Sequence, residues 1–260
     1  MKKIDLSFQK NVRDLGGLTG FEGKKVKFGR IYRGGFLGHV SDNDIKTINS
    51  LRLTDIVDFR SSIEYKSRPD YVFMGVKYHN FPALSEDSDD MLKTRNDYDD
   101  SNLLWFLGES TDGFGHMYRI YPELLLTPQG INAYKNFFKV LTQDNNRVVY
   151  FHCSQGKDRA GLASFLVEIA LGVSYEEAEV DYLLTNESME AKIDTYKSML
   201  SDKPYYSKDY EQALYDVFSA KVEYLQHAIE EVKRHCGTLE DYLKNVLEVD
   251  IDKLRSIYLE

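Results

Sequence analysis

The chain has 260 residues, within reach of one large domain or two small ones, and its 42% hydrophobic and 13% aromatic content is ample for a core and excludes a disordered polypeptide. A net charge of −9 argues against a general nucleic-acid binder. No apolar run approaches the ~18 residues of a membrane span, and MKKIDLSFQK has no apolar stretch behind its lysines, so a cytoplasmic protein without stable membrane insertion is expected.

Short strands mix with helices in the first half. Arg30-Ile31-Tyr32-Arg33 before Gly34-Gly35 reads as a strand ending in a turn. Ser41 with Asp44 forms an N-terminal capping box, and Ile45, Ile48 and Leu51 mark one helix face behind it. Asp55–Phe59 is a β-branched run of strand length, and Val76–Phe81 is a second. From Ser85 to Gly115 the periodicity breaks down amid acidic residues such as Asp87, Asp89, Asp90, Asp99 and Asp100. A solvated insertion accounts for most of these charges, and a segment of that length is also where lids are found; the insertion is placed at about 84–120.

The second half is mainly helical. Ile131, Tyr134, Phe138 and Leu141 share a helix face. Arg147 to His152 is a strand whose Val148-Val149-Tyr150-Phe151 is continuously apolar, as buried parallel strands are. Leu162, Phe165, Leu166, Ile169 and Ala170 then describe an amphipathic helix from near Asp158, stopped by Gly172, with Ser174 and Glu177 opening the next. One long helix from about Ser207 to Cys236, closed by Gly237, ends the pattern. The expectation is a single α/β domain over 1–260: a central, mostly parallel sheet flanked by helices, with a helical lid insertion and a helical C-terminal part.

Chemistry concentrates in His152-Cys153-Ser154-Gln155-Gly156-Lys157-Asp158-Arg159-Ala160-Gly161, between the buried strand and the helix. Backbone N–H groups of such a loop, with the helix N-terminus behind them, cradle an anion. Arg159, six residues after Cys153, closes the cradle with a planar fork for two phosphate oxygens. The same positive surroundings are expected to lower the Cys153 thiol from ~8.5 toward the ~3.5–7.5 seen at helix N-termini. Anion site and thiolate on one loop suit phosphoryl transfer through a phosphocysteine. A lone cysteine at a strand end is more often a buried hydrophobe, and C-x5-R alone recurs by chance. The preceding His152, the internal Gly156 and the strand–loop–helix setting weigh against that reading here. Cys236, at a helix end, is expected to be inert, and two cysteines are too few for a disulfide scaffold or a zinc site.

This loop resembles that of the cysteine-dependent tyrosine phosphatases, and HCSQGKDRAG is similar to a bacterial branch with an HC-x-x-GKDR loop that acts on phosphotyrosine and often on phosphoinositides. The resemblance covers most of the chain. Asn11-Val12-Arg13-Asp14-Leu15-Gly16-Gly17 looks like that branch's NFRDLGG signature, Ile31-Tyr32-Arg33 its next strand, and Asp58-Phe59-Arg60-Ser61 with Glu64 its DLRS-x-x-E element. Asp181-Tyr182-Leu183 and Val222-Glu223-Tyr224-Leu225 resemble later segments. The resemblance implies Cys153 as nucleophile, Arg159 as the residue that holds the equatorial oxygens, and Ser154, Gln155, Gly156 and Lys157 as the phosphate loop. It implies His152 as a support of loop and thiolate, and phosphorylated protein or phosphoinositide as substrate. No cofactor or metal is implied, because backbone and guanidinium supply the charge stabilisation. Lys157 either meets a second phosphate on an inositol ring or is a surface lysine. Arg13, Asp14, Arg60 and Glu64 are expected to form an ion-pair network beside the loop.

Two departures matter. Relatives often carry Asp after the Phe-Pro that precedes the insertion, where this chain has Ala83. The general acid then falls to Asp158, which equally suits a helix cap, or to Asp87 on the insertion. Ala160 replaces the usual hydroxyl after the arginine, which implies a slower second step. The competing readings are a phosphate-reading module with little turnover, which has no use for a reactive thiolate, and a sulfurtransferase or arsenate reductase, whose loops lack the GKDR core.

Overall fold

The computed structural model describes residues 2–84 and 111–260. Six strands form one sheet: β1 (Lys2–Lys3), β2 (Arg13–Asp14), β3 (Ile31–Gly35), β4 (Asp55–Asp58), β5 (Lys77–Asn80) and β6 (Val149–Cys153), in the order β1-β2-β3-β6-β4-β5. The pairs β3–β6, β6–β4 and β4–β5 are parallel, and β1 and β2 add an antiparallel edge. β6 is thus central, with Gly35 opposite Cys153 on one side and Asp58 opposite His152 on the other. Three strand ends converge on one point, and in parallel sheets the carboxyl edge is where ligands bind.

The strands read as unbroken apolar runs because both sheet faces are covered. Ile31, Val57, Val149 and Phe151 enter a large core, while Tyr32, Ile56 and Tyr150 alternate into a smaller one. The smaller core lies under α1 (Asp42–Ser50), whose Ser41–Asp44 capping box is complete, with Ile48 buried. On the larger side lie α3 (Gly113–Leu126) and α4 (Pro128–Leu141), then α5 (Asp158–Leu171), α6 (Tyr175–Leu183) and α7 (Asn186–Leu200). α8 (Lys208–Phe218), α9 (Val222–Cys236) and α10 (Ile251–Tyr258) follow, and the short α2 (Ser62–Ser67) sits beside the sheet's carboxyl edge. Residues 113–120 of the expected insertion belong to α3, which buries Met117 and Tyr121 against the helical side; 85–110 lie outside the described residues, and Asp87 with them.

Three local expectations are corrected. Gly34-Gly35 is no turn: both residues remain in β3, where Gly34 has no room for a Cβ against the Tyr150 hydroxyl. α5 is not amphipathic but buried on nearly every side, Ser164 and Glu168 included, because α6 and α10 cover the flank that would otherwise meet water. The long helix from Ser207 to Cys236 is two helices, broken at 219–221. The broken ladder finds other partners: Asn186 pairs both the N–H and the carbonyl of Ala220, at 2.7 and 2.9 Å.

Candidate active site

Cys153 ends β6, buried at the bottom of the loop that runs to Asp158. The loop turns at Gly156, whose φ of +71° and close approach to the Gly34 carbonyl exclude any side chain. The N–H groups of Ser154, Gln155 and Gly156 make no hydrogen bond among the described residues, while the loop's carbonyls are held from outside. Asn11 Nδ2 donates to the carbonyls of Gln155 and Gly156 at 3.1 and 3.2 Å, and Arg33 donates to Gly156 O at 2.9 Å. Turning carbonyls outward leaves N–H groups for an anion on the inner side.

Arg159 opens the second position of α5 and is nearly fully buried. Glu64 grips it, Nη1 to Oε2 at 2.6 Å and Nη2 to Oε1 at 3.1 Å, and accepts from the Ser154 hydroxyl at 2.5 Å. Glu64 also caps α2 through the Ser61 N–H at 3.0 Å, so strand β4 and helix α2 deliver the carboxylate that orients the loop arginine. Burial opposes the guanidinium charge, but Glu64 outweighs it and holds the pKa above its ordinary value. The Tyr134 hydroxyl donates to the Arg159 carbonyl at 3.1 Å and fixes the backbone.

Of the four residues expected to form one network, three enter separate ion-pair networks and Asp14 enters none. Glu64 serves Arg159 directly. Arg60 bridges Asp58 and Asp70, each at 2.8 Å. Arg13 meets Asp181 at 2.7 Å, and Arg33 joins it there at 2.6 Å, beneath Gly156. Asp14 makes no ion pair with the others; it receives the N–H groups of Gly16 and Gly29 at 2.9 and 2.7 Å and shapes the signature turn.

His152 is buried behind Cys153, with Nδ1 3.1 Å from the Cys153 carbonyl and Nε2 3.3 Å from Asp70 Oδ2. Burial pushes the imidazole pKa down, but the carboxylates of Asp70 and Asp58 prevail and raise it. Asp58, Asp70 and His152 are close enough to share a cation, yet the Arg60 guanidinium already bridges the two carboxylates, so their charge is met by the protein.

Lys157 is not at the surface. It is buried, and its ammonium donates to the carbonyl of Val217, at the end of α8, with Ser219 O 3.4 Å away. Asp158 does not cap α5; that helix has no side-chain cap, and the carboxylate turns to the Tyr121 hydroxyl at 2.7 Å and to Lys157 at 3.1 Å. Ala83 is fully buried against Phe59, its N–H on the Phe59 carbonyl at 3.2 Å. Cys236 is half-buried, and burial raises its thiol pKa.

A parallel sheet that ends in a Cys-x5-Arg loop, the arginine fixed by a buried glutamate, has the build of a tyrosine phosphatase. The chain belongs to the tyrosine phosphatase family, whose family model matches residues 4–260. It is 28% identical to a candidate tyrosine-protein phosphatase of Cupriavidus necator, over 98% of this chain and 88% of that protein. It is 27% identical to the triple specificity protein phosphatase PtpB of Mycobacterium tuberculosis, over 95% of this chain and 99% of that protein. The protein is therefore a protein-tyrosine phosphatase by family, and its α/β fold is that of the class. No helix among the described residues is long and apolar enough to cross a membrane.

Residues that sequence reasoning missed are Asp70, Asn11 in its loop-holding role, Tyr121 and Tyr182. Asn11 and Tyr182 stood inside motifs already singled out; Asp70 and Tyr121 had no signal beyond their residue type.

Proposed function

We propose that the protein hydrolyses phosphotyrosine through a phosphocysteine intermediate. The observation that carries this reading is that Cys153 and Arg159 share one loop whose carbonyls are tied outward and whose arginine is locked by Glu64. The Cys153 thiolate attacks phosphorus: the S–P bond forms while the ester P–O bond breaks, and its electron pair leaves on the oxygen. Arg159 and the N–H groups of Ser154, Gln155 and Gly156 bind the three equatorial oxygens, where charge spreads in the transition state. Asp158 gives its proton to the leaving oxygen. As carboxylate it then takes a proton from water, which attacks phosphorus, breaks the S–P bond, and releases phosphate and thiolate. His152 orients the Cys153 carbonyl. Ala160 supplies no hydroxyl to the sulfur, so phosphoenzyme hydrolysis is the slow step.

Beside Gln155 runs a groove lined by Phe8, Lys10, Met189 and Lys192. Its aromatic and cationic walls suit the remainder of a phosphopeptide, and phosphoserine, phosphothreonine or phosphoinositide esters would meet the same loop; PtpB is by name a triple specificity protein phosphatase.

The test is a leaving-group series. Asp158→Asn should lower kcat/KM for esters with poor leaving groups by roughly 10²–10⁴-fold and leave it little changed for esters that depart without a proton, whereas Asp87→Asn should have a small effect throughout. The reverse pattern would transfer the acid role to Asp87.

A further inference from the structure

Two donors meet the Asp158 carboxylate, and both meet the same oxygen. Tyr121 Oη lies 2.7 Å from Oδ1 and Lys157 Nζ lies 3.1 Å from Oδ1. Oδ2 has no hydrogen-bond partner among the described residues, and the side chain is 26% exposed whereas Tyr121 is fully buried. A protonated carboxyl places its proton on the oxygen that is not already accepting from an O–H and an N–H.

We infer that Tyr121 is a positioning residue for the acid: with Lys157 it saturates Oδ1 and so confines the transferable proton of Asp158 to Oδ2. The inference rests on the proposal that Asp158 is the general acid.

The Tyr121 hydroxyl has a second neighbour, Tyr182 Oη at 2.6 Å. A phenol has one proton, so when Tyr121 donates to the Asp158 carboxylate it must accept from Tyr182. With Asp158 as carboxylate, the donors therefore run from Tyr182 through Tyr121 to Oδ1. Burial, joined by the nearby Asp158 carboxylate, pushes both phenols well above their ordinary pKa, so neither gives up its proton to solvent across the working range.

The break at 219–221 supplies one anchor of this arrangement. Lys157 is held toward Oδ1 by the Val217 carbonyl. Had α8 and α9 been continuous, that carbonyl would have been spent inside the helix.

The experiment compares kcat/KM, which reports formation of the phosphocysteine whichever later step limits kcat, for Tyr121→Phe on phenyl phosphate, a poor leaving group, and on 4-nitrophenyl phosphate, a good one. A hydrogen bond to a charged group is worth about ten-fold. The expected result is a kcat/KM on phenyl phosphate lower by about that factor and a change within about two-fold on the nitrophenyl ester. Because Tyr121→Phe leaves the Tyr182 hydroxyl without its acceptor, the double variant Tyr121→Phe/Tyr182→Phe removes both phenols together and should show the same leaving-group split. Tyr182→Phe alone, which keeps the donor on Oδ1, should lose less than Tyr121→Phe. Equal losses on both esters, no loss, or a larger effect of Tyr182→Phe would overturn the inference. Asp158→Asn run alongside separates the two failures. A flat leaving-group response for Asp158→Asn would sink the acid assignment itself. A steep response there with a flat one for Tyr121→Phe would sink only the role of Tyr121.

Discussion

Glu64 holds Arg159 through both carboxylate oxygens, at 2.6 and 3.1 Å, with the pair buried from water. The guanidinium is thus oriented before any substrate arrives, which spares the reorganisation that a mobile arginine would need at the moment of reaction.

Glu64→Gln tests this coupling. The variant keeps the shape of the side chain but leaves the guanidinium charge uncompensated, and breaking a buried pair costs on the order of 3–5 kcal/mol. A dianion in the loop restores part of that balance. Thermal unfolding should show a lowered Tm in phosphate-free buffer, and a larger rise on adding phosphate than the wild type shows. An equal phosphate response in both proteins would contradict it.

Cys153→Ser should abolish turnover of a phosphotyrosine analogue while calorimetry still detects binding of an oxyanion such as tungstate. The serine hydroxyl is a poor nucleophile without a base beside it, and the loop's donors are untouched. Turnover near the wild-type rate would dismiss the phosphocysteine.

Gly156→Ala places a methyl 2.4 Å from the Gly34 carbonyl on a residue with φ +71°. The left-handed conformation alone costs about 1–2 kcal/mol, and the clash is with backbone. The variant should lose phosphate affinity and stability together, read by calorimetry and by urea denaturation; retention of both would mean that the loop relaxes freely.

Lys157→Ala should harm phosphotyrosine and phosphoinositide substrates to the same degree, because its ammonium is engaged with Val217 O and Asp158 rather than offered to a second phosphate. A loss confined to phosphoinositides in parallel assays would restore the inositol reading.

The pH dependence of stability follows from Asp70, Asp55 and His152. Burial raises the Asp70 pKa, but His152 and Arg60 outweigh it and hold it at about 2, below its ordinary 3.8. Asp55 is also at about 2, where burial is outweighed by His79, Thr54 and Arg147. A depressed carboxylate stabilises fully above its unfolded value, so this contribution is lost as pH falls from about 3.8 toward about 2. His152 is raised, so its contribution is complete below its ordinary 6.5 and disappears as pH climbs through the higher folded value. Urea midpoints for Asp70→Asn should fall less steeply in acid and show a shallower alkaline decline, Asp58 still facing His152; a profile parallel to the wild type would refute the assignment.

Much of this was legible in the sequence because the chemistry is local. Cys153 and Arg159 lie within one loop, and the Val148–Phe151 run and the helix after it announce a strand–loop–helix unit. The Ser41 box and the Gly172 stop are likewise readable within a few residues. What escaped was long-range. Tyr121, Tyr182 and Asp158 come together from three helices, and a tyrosine in an apolar pattern reads as core whether or not its hydroxyl is employed. Lys157 looked like a loop charge because its acceptors lie about sixty residues downstream. The break between α8 and α9 has no proline or glycine to mark it; Asn186 and Lys157 pair its backbone groups.

The break also bears on the order of synthesis. Residues 152–159 are translated before Val217 and Ser219, yet Lys157 finds its backbone acceptors only there. A chain that stops short of the break carries Cys153 and Arg159 but lacks the carbonyls that hold Lys157 beside Asp158, so this part of the loop's surroundings is completed only by the later helices.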